Sequence, residues 1–276
     1  IGNGIDGVTI FGAQAVLGVE KRPYQATTNR LNFPRVDYTN GTPALLIEPQ
    51  RTNLYLNSEN LVTQNITTIA TSYTVSFYGT GTVTFSGTFS GTLIGTGILN
   101  RVTLTFTTTS GTLISTVSGT VTKANAEAGL YATSYIPTLA SAVTRNADVI
   151  SKTSVFNASE DFTFFYEGKL FFNSGTGSYF NLGVLGYLSL YNIGINTLRF
   201  RYNGTNYTSS PTTNTFKYII KKNSTNMKIF VNGVLEYTIT TLPTGLVNLS
   251  ISDGEIDGLK IWKQALTDAE CITLTT

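Results

Sequence analysis

Apolar and polar residues alternate with a period of two along most of the chain, in runs that are short. In the first half the clearest runs cover residues 73–77, 102–106 and 113–117. Strict alternation with many β-branched residues is typical of short strands that bury one face. Gly-Thr pairs recur between these runs at irregular spacing, which favours turns in a β-sandwich over a solenoid repeat.

The same alternation resumes after residue 155 and continues almost to the C-terminus. Predicted strands there cover residues 162–168, 179–182, 187–190, 198–202, 216–220, 227–231 and 236–239. Asn203-Gly204 and Asn232-Gly233 predict two-residue hairpin turns, because Asn-Gly suits a turn that needs positive φ at both central positions. Near the end, Thr267 and Glu270 have the spacing of a capping box and predict a short helix.

These patterns divide the 276 residues into four parts. Residues 1–50 have recurring Gly and Pro and no sustained period, so we expect an irregular arm that lies along another module or another subunit. Residues 51–140 are predicted to form a first β-sandwich, residues 141–155 a connector, and residues 156–276 a second sandwich. The predicted fold class is all-β, with two antiparallel sandwiches in tandem.

Composition excludes several classes of function. Charged residues make up 12% of the chain and the net charge is +2, so we expect neither a nucleic-acid partner nor a membrane-binding patch. The chain has no histidine, which excludes His-based triads and His-ligated zinc. Cys271 is the single cysteine, which excludes an intrachain disulfide, and it is expected to be a small buried residue. No apolar run is long enough to predict membrane insertion.

Three segments of the second predicted sandwich resemble the concanavalin-like (laminin-G-like) jelly rolls. They are the strand at residues 161–164, the hairpin at 227–235 and the closing strand and helix at 254–270. In the last segment Trp262 stands where Tyr or Trp is usual, whereas Gly258 replaces a residue that is more often acidic. This resemblance implies a jelly-roll fold, and Trp262 is expected to belong to its core.

A second resemblance covers about a third of the chain. Residues 45–57, the Thr/Gly meander through Val121 and residues 127–148 resemble bacteriophage head-fibre, spike or tail-associated proteins. The middle module is similar to carbohydrate-binding-type sandwiches, by analogy of fold alone. The resemblance implies a virion surface protein whose arm binds other capsid or tail proteins. A homotrimer is expected, since projecting viral β proteins are often trimeric.

Conspicuous charged residues flank the two ends of the first predicted sandwich. Glu48 and Arg51 lie on either side of Pro49-Gln50, and we expect them to fix the arm against the first sandwich. Arg145 and Asp148 are expected to do the same for the connector. These four residues are therefore interpreted as structural.

An aromatic and polar stretch of the second predicted sandwich is the candidate glycan-binding surface. Sugars stack on aromatic rings and exchange hydrogen bonds with amide and guanidinium groups; the alternative is ordinary packing with tyrosine hydroxyls at the rim. The candidate residues are Tyr187, Tyr191, Arg199, Arg201, Asn206 and Tyr207.

Three acidic residues near the C-terminus have more than one interpretation. Asp253, Glu255 and Asp257 could bind Ca²⁺, because calcium takes oxygen ligands and laminin-G-like modules often carry it. Alternatively, Asp253-Gly254 makes a turn and the other two lie on the exposed face of a strand. Glu255 and Asp257 would then be about 6.6 Å apart on one face, a spacing that also permits a glycosidase pair.

We therefore predict a non-enzymatic phage virion structural protein, located on the virion surface, that binds host-surface or environmental glycans. No cofactor is expected apart from possible Ca²⁺. Two alternatives stay open: a secreted bacterial adhesin or carbohydrate-binding module, and a polysaccharide depolymerase.

Overall fold

The computed structural model of the chain describes residues 35–37, 43–148, 150–169, 178–183, 188–194, 197–209, 215–243, 245–251 and 254–276. Within them the backbone forms antiparallel strands and, at the C-terminal end, one helix. The elements are β1 (Arg35–Asp37), β2 (Ala44–Ile47), β3 (Arg51–Asn53), β4 (Gln64–Thr68), β5 (Ser72–Gly79), β6 (Thr82–Gly87), β7 (Gly91–Ile94), β8 (Gly97–Thr107), β9 (Gly111–Ser118), β10 (Val121–Ala128), β11 (Val143–Arg145), β12 (Ile150–Asn157), β13 (Phe162–Lys169), β14 (Ser178–Gly183), β15 (Leu188–Gly194), β16 (Thr197–Tyr202), β17 (Thr205–Ser209), β18 (Thr215–Lys222), β19 (Met227–Val231), β20 (Val234–Ile239), β21 (Leu246–Ile251), β22 (Gly254–Trp262) and α1 (Asp268–Thr275).

The first sandwich packs a sheet of order β10-β5-β8 against a sheet of order β4-β9-β6-β7. In β5, Tyr73, Val75 and Phe77 are buried on one side of the strand. They belong to one apolar cluster with Phe85 and Leu113 of the other sheet. The alternation seen in the sequence therefore builds this core directly, because successive strand residues point to opposite faces.

The second sandwich packs a sheet of order β1-β2-β22-β13-β18-β19-β20 against a sheet of order β12-β21-β14-β15-β16-β17. Phe164 and Tyr218 of the larger sheet lie in one buried cluster with Phe200 and Leu249 of the smaller sheet. The two predicted Asn-Gly turns are confirmed, since Asn203, Gly204, Asn232 and Gly233 all have positive φ.

Part of the predicted arm belongs to the sheet of the second sandwich. Within β2, Leu45 pairs with Ile256 of β22, and Ile47 is fully buried in the second core. β3 then pairs with β11, so the chain enters and leaves the first sandwich side by side. The four predicted ranges stay a prediction, but β1 and β2 belong to the larger sheet of the second sandwich although the first sandwich follows them in the sequence.

The outer face of the larger sheet is covered by α1. The predicted capping box is confirmed: Thr267 Oγ1 accepts from the Glu270 amide, and the Glu270 carboxylate accepts from the Thr267 amide at 2.7 Å. Cys271 is fully buried against Phe230, as expected for a small core residue, and burial raises the pKa of its thiol to about 11. Trp262 packs against the same cluster and is partly buried.

The predicted fold class is confirmed: among the described residues every regular element apart from α1 is a strand, and the antiparallel sheets form two sandwiches of the jelly-roll type. Residues 1–34 of the predicted arm lie outside the described residues. Within the described ranges no helix is long and apolar enough to cross a membrane.

Candidate functional site

The smaller sheet of the second sandwich has an apolar inner face and a polar outer face. In β16, Leu198, Phe200 and Tyr202 are buried, whereas Arg201 is exposed and Arg199 is partly exposed. Since strand residues alternate between faces, the two arginine side chains lie on the outer face. They are about 6.8 Å apart along the strand, at about 3.4 Å per residue.

A row of polar residues occupies matching register positions across all six strands of this sheet. Pairing places Arg201 opposite Asn206 of β17 on one side and opposite Ser189 of β15 on the other. The row continues from Ser189 to Asn181, Ser250 and Ser151, one residue in each remaining strand. At about 4.8 Å between neighbouring strands, the row is roughly 24 Å long.

A second, shorter row lies beside the first. Arg199 pairs with Thr208 of β17 and with Tyr191 of β15, and Tyr191 pairs in turn with Ser178 of β14. Thr208 is exposed. The sheet therefore brings four of the predicted glycan-binding residues to neighbouring register positions: Tyr191, Arg199, Arg201 and Asn206.

Of the other two predicted glycan-binding residues, Tyr207 lies on the inner side of the sheet. Tyr207 pairs with the buried Phe200 and packs against it on the inner side, with ring centroids 5.8 Å apart. Its ring also contacts Tyr237, whose hydroxyl donates to the Thr208 carbonyl. Tyr187 lies outside the described residues. The assignment of all six residues to sugar binding stays a prediction.

The outer face carries no acidic residue at the register positions of the two rows. The two rows hold Ser, Asn, Thr and Tyr residues together with Arg199 and Arg201. Neither guanidinium forms an ion pair within the described part of the chain, and Arg199 Nε is buried with no acceptor there. By contrast, Lys217 lies 3.9 Å from Glu167, and Lys221 and Lys228 both contact Asp268.

The structure separates the members of the predicted calcium site. Glu255 is buried in β22, opposite Leu46 of β2 and Lys169 of β13, whereas Asp257 is exposed where β22 bulges against β13. Burial raises the pKa of the Glu255 carboxyl, which Lys169 partly offsets. Asp253 lies outside the described residues. Among the described residues no group of three potential metal ligands comes together, and the Ca²⁺ site stays a prediction.

Three of the four conspicuous charged residues at the two ends of the first sandwich, Glu48, Arg145 and Asp148, form one buried network. Arg145 is fully buried, and its Nη1 donates to Glu48 Oε2 at 2.6 Å. The amide of Ser134 donates to Glu48 Oε1 at 2.6 Å. Arg35 Nη2 lies 3.3 Å from the same carboxylate, which ties β1 to the network. In the sequence, Glu48 and Arg145 stand out at separate positions, and no local pattern predicts that they pair.

Burial shifts the ionisation of this network. It raises the pKa of the Asp148 carboxyl, while Arg145 and a hydrogen bond from the Glu48 amide act in the opposite direction. It lowers the pKa of the Arg145 guanidinium, and Glu48 opposes that shift. Burial also raises the pKa of Glu127, whose carboxylate accepts from both the amide and the hydroxyl of Thr133. We call Glu48, Arg145 and Asp148, which are joined through Glu48, the junction between the two sandwiches.

Asn53 extends the network into the first sandwich. Its Nδ2 donates to the carbonyls of Ala124 and Ile136 at 2.9 and 2.8 Å. Its Oδ1 accepts from the amides of Tyr55 and Ala126 at 3.1 and 3.0 Å. The side chain is fully buried, so it fastens β3 to β10 and to the segment that leaves the sandwich.

Comparison with known proteins gives distant likenesses. No protein-family model matches the chain, and no curated protein matches it. One similar structure is a heptameric SAP-like pentraxin from Limulus polyphemus, 15% identical, with 46% of this chain and 75% of that chain covered at a TM-score of 0.35. Another is CBM40 of the Ruminococcus gnavus IT-sialidase bound to α2,3-sialyllactose, 18% identical, with 43% and 84% covered at 0.33.

A third similar structure is domain 4 of AbnA, a GH43 extracellular arabinanase from Geobacillus stearothermophilus, in complex with arabinotriose. It is 14% identical, with 45% of this chain and 70% of that chain covered at a TM-score of 0.35. These TM-scores are too low for the likenesses to carry an argument about function. The function has to be argued from the chain's own geometry.

Proposed function

We propose that this chain is a non-catalytic glycan-binding protein and that the outer face of the smaller sheet in the second sandwich binds the sugar. The supporting observation is the polar row through Arg201, Asn206, Ser250 and Ser151, which crosses all six strands. Hydroxyl, amide and guanidinium groups supply both donors and acceptors, as a carbohydrate requires. Because a β-sheet holds these groups on a rigid backbone, little conformational entropy is lost when a sugar binds.

The proposal is tested by measuring binding of the full chain to a glycan array and then titrating the best ligand by calorimetry. Replacing Asn206 and Thr208 with alanine removes two exposed hydrogen-bonding groups from β17. At about 1 kcal/mol per hydrogen bond, affinity should fall roughly tenfold or more. Thr238→Ala, on an exposed position of β20 in the other sheet, is the matched control and should bind normally. A chain that binds no glycan, or an unchanged Asn206/Thr208 double variant, would overturn the proposal.

The absence of catalysis is part of this proposal and has its own experiment. Glu255 is buried and Asp257 is exposed, so the two carboxyl groups that could suggest a glycosidase pair differ in their access to a substrate. We expect no release of reducing ends from polysaccharides that the chain binds. Release that disappeared in Glu255→Gln or Asp257→Asn would instead establish a depolymerase.

We further propose display on a phage virion, with the N-terminal arm bound to capsid or tail proteins and the second sandwich facing outward. This rests on the resemblance of residues 45–57 and 127–148, which in this chain build the buried junction around Glu48 and Arg145. Cryo-electron microscopy of purified particles should locate the chain on their surface, in groups of three. Its absence from particles, together with a secretion signal in the gene, would favour the secreted adhesin.

A further inference from the structure

At the described register positions of the two polar rows, the charged residues are all basic. Arg199 and Arg201 are the charged residues of the two polar rows, and those rows hold no Asp or Glu. Both side chains project from one strand, flanked in register by Thr208 and Asn206. A ligand lying along the rows would therefore meet two guanidinium groups without a competing carboxylate from this face.

Arg201 is exposed on this face, and Arg199 is partly exposed. Within the described residues neither guanidinium has an ion-pair partner, and Arg199 Nε is buried without an acceptor. Guanidinium groups present parallel N–H donors that match the two oxygens of a carboxylate or sulfate.

We propose that this face selects acidic glycans, meaning polysaccharides whose sugars carry carboxylate or sulfate groups, and that Arg199 and Arg201 determine this selectivity. The inference rests on the proposed glycan-binding function and deepens it by naming the ligand class. Uncharged groups of the rows, such as Asn206 and Ser250, would hold the sugar hydroxyls. The two arginines would bind the acidic groups at neighbouring positions along the strand.

Matched pairs of polysaccharides test the class directly. The full chain is titrated against polygalacturonate and its fully methyl-esterified form, and against dextran sulfate and dextran, with a chelator present to remove Ca²⁺. In each pair only the charged group differs. The acidic member should bind at least about tenfold more tightly, and the preference should shrink as salt is raised, because screening weakens charge–charge attraction. The two pairs distinguish carboxylate from sulfate.

Variants then test the residues. Arg201→Gln and the double variant Arg199→Gln/Arg201→Gln should lose the preference for the acidic member, while Arg201→Lys should retain only part of it because lysine lacks the planar fork. Lys152→Gln is the control, because Lys152 is exposed on β12, an edge strand of the same sheet. This substitution changes the net charge by the same amount as Arg201→Gln. Thermal unfolding confirms that each variant folds. Because Arg201 is exposed, Arg201→Gln is the variant expected to disturb the fold least.

The outcomes separate this inference from the function on which it rests. Equal binding of acidic and neutral members, unaffected by the arginine variants, would overturn the acidic selectivity and leave the glycan-binding function standing. An acidic preference that survived in the double variant, or that fell equally in Lys152→Gln, would overturn the assignment to Arg199 and Arg201. Binding to no polysaccharide at all would overturn both.

Discussion

The amide of Asp148 donates a hydrogen bond to the carbonyl of Glu48 at 2.9 Å, and the amide of Glu48 donates to Asp148 Oδ2, also at 2.9 Å. These residues are 100 positions apart in the sequence. β3 and β11, which lie between them along the chain, pair with each other. The first sandwich is therefore inserted into the second between Glu48 and Asp148. The Arg145–Glu48 ion pair lies at this insertion site.

Breaking the Arg145–Glu48 pair should destabilise the protein strongly. Arg145→Met leaves the buried Glu48 carboxylate without its 2.6 Å partner, and removing one member of a buried ion pair costs about 3–5 kcal/mol. The double variant Glu48→Gln/Arg145→Met should lose less than the sum of the single variants, because it also removes the Glu48 carboxylate that Arg145→Met leaves without its partner. Urea unfolding measures each free energy. Lys217→Met, which breaks a partly exposed pair at 3.9 Å, is the control and should cost less than about 1 kcal/mol.

Replacing Asn53 should loosen the first sandwich. Asn53→Ala removes the partners of the Tyr55 and Ala126 amides and of the Ala124 and Ile136 carbonyls, all at the buried junction. Each buried group left without a partner costs about 1–3 kcal/mol, so a loss of several kcal/mol is expected in urea unfolding. Asn53→Asp keeps the acceptor and loses the donor, and should also destabilise. A change below 1 kcal/mol in both variants would contradict this role.

Local signals in the sequence predicted much of this fold. The capping box of Thr267, the two Asn-Gly turns and the alternation within strands each depend on residues a few positions apart. Local signals also bear on the predicted glycan-binding residues of β16 and β17. A two-residue turn at Asn203-Gly204 places Tyr207 opposite Phe200 and Asn206 opposite Arg201. Tyr207 could therefore have been assigned to the inner face before the structure was known.

The junction could not be predicted in this way. The sequence marks Glu48 and Arg145 as conspicuous, but 97 residues separate them and no local pattern pairs them. The same holds for β2, which pairs with β22 across more than 200 residues of chain. Such contacts depend on how two sheets close around a core, and alternation within one strand carries no information about which distant strand becomes its neighbour.

The stability of the junction should depend on pH through Asp148. Burial raises the pKa of its carboxyl despite the opposing effects of the hydrogen bond from the Glu48 amide, of Arg145 and of Arg35, while the charge of the Glu48 carboxylate adds to the increase. A raised folded-state pKa contributes stability that is fully present below the unfolded value of about 3.9 and is lost as pH rises through the folded value. Asp148→Asn removes this titration and keeps an acceptor for the Glu48 amide.

The measurement is the free energy of unfolding of the wild type minus that of Asp148→Asn, from pH 3.5 to pH 7 by urea titration. This difference should fall as pH rises above about 4 and then level off. Glu127, whose pKa is also raised by burial, is present in both proteins and cancels. A difference that instead grew with pH would show that the surrounding arginines dominate over burial.

The first sandwich should be removable without unfolding the second. Because the Asp148 amide already contacts the Glu48 carbonyl, a short Gly-Ser linker can replace residues 49–147 and close the chain at that point. The shortened protein retains β2, whose Leu45 and Ile47 contribute to the second core, and it retains Arg199 and Arg201. We expect it to fold cooperatively in urea and to bind the same glycans as the full chain.

The control for this excision is a chain that begins at residue 149. It lacks β2, so β22 becomes an open sheet edge and the space filled by the fully buried Ile47 is vacated. Losing a buried aliphatic side chain alone costs about 2–5 kcal/mol, and an open edge promotes aggregation. The control should therefore be less stable than the linked protein and more prone to aggregate. If the linked protein and the control were equally stable, β1 and β2 would only lie along the second sandwich. If the linked protein failed to fold, the second sandwich would depend on the first one for its stability.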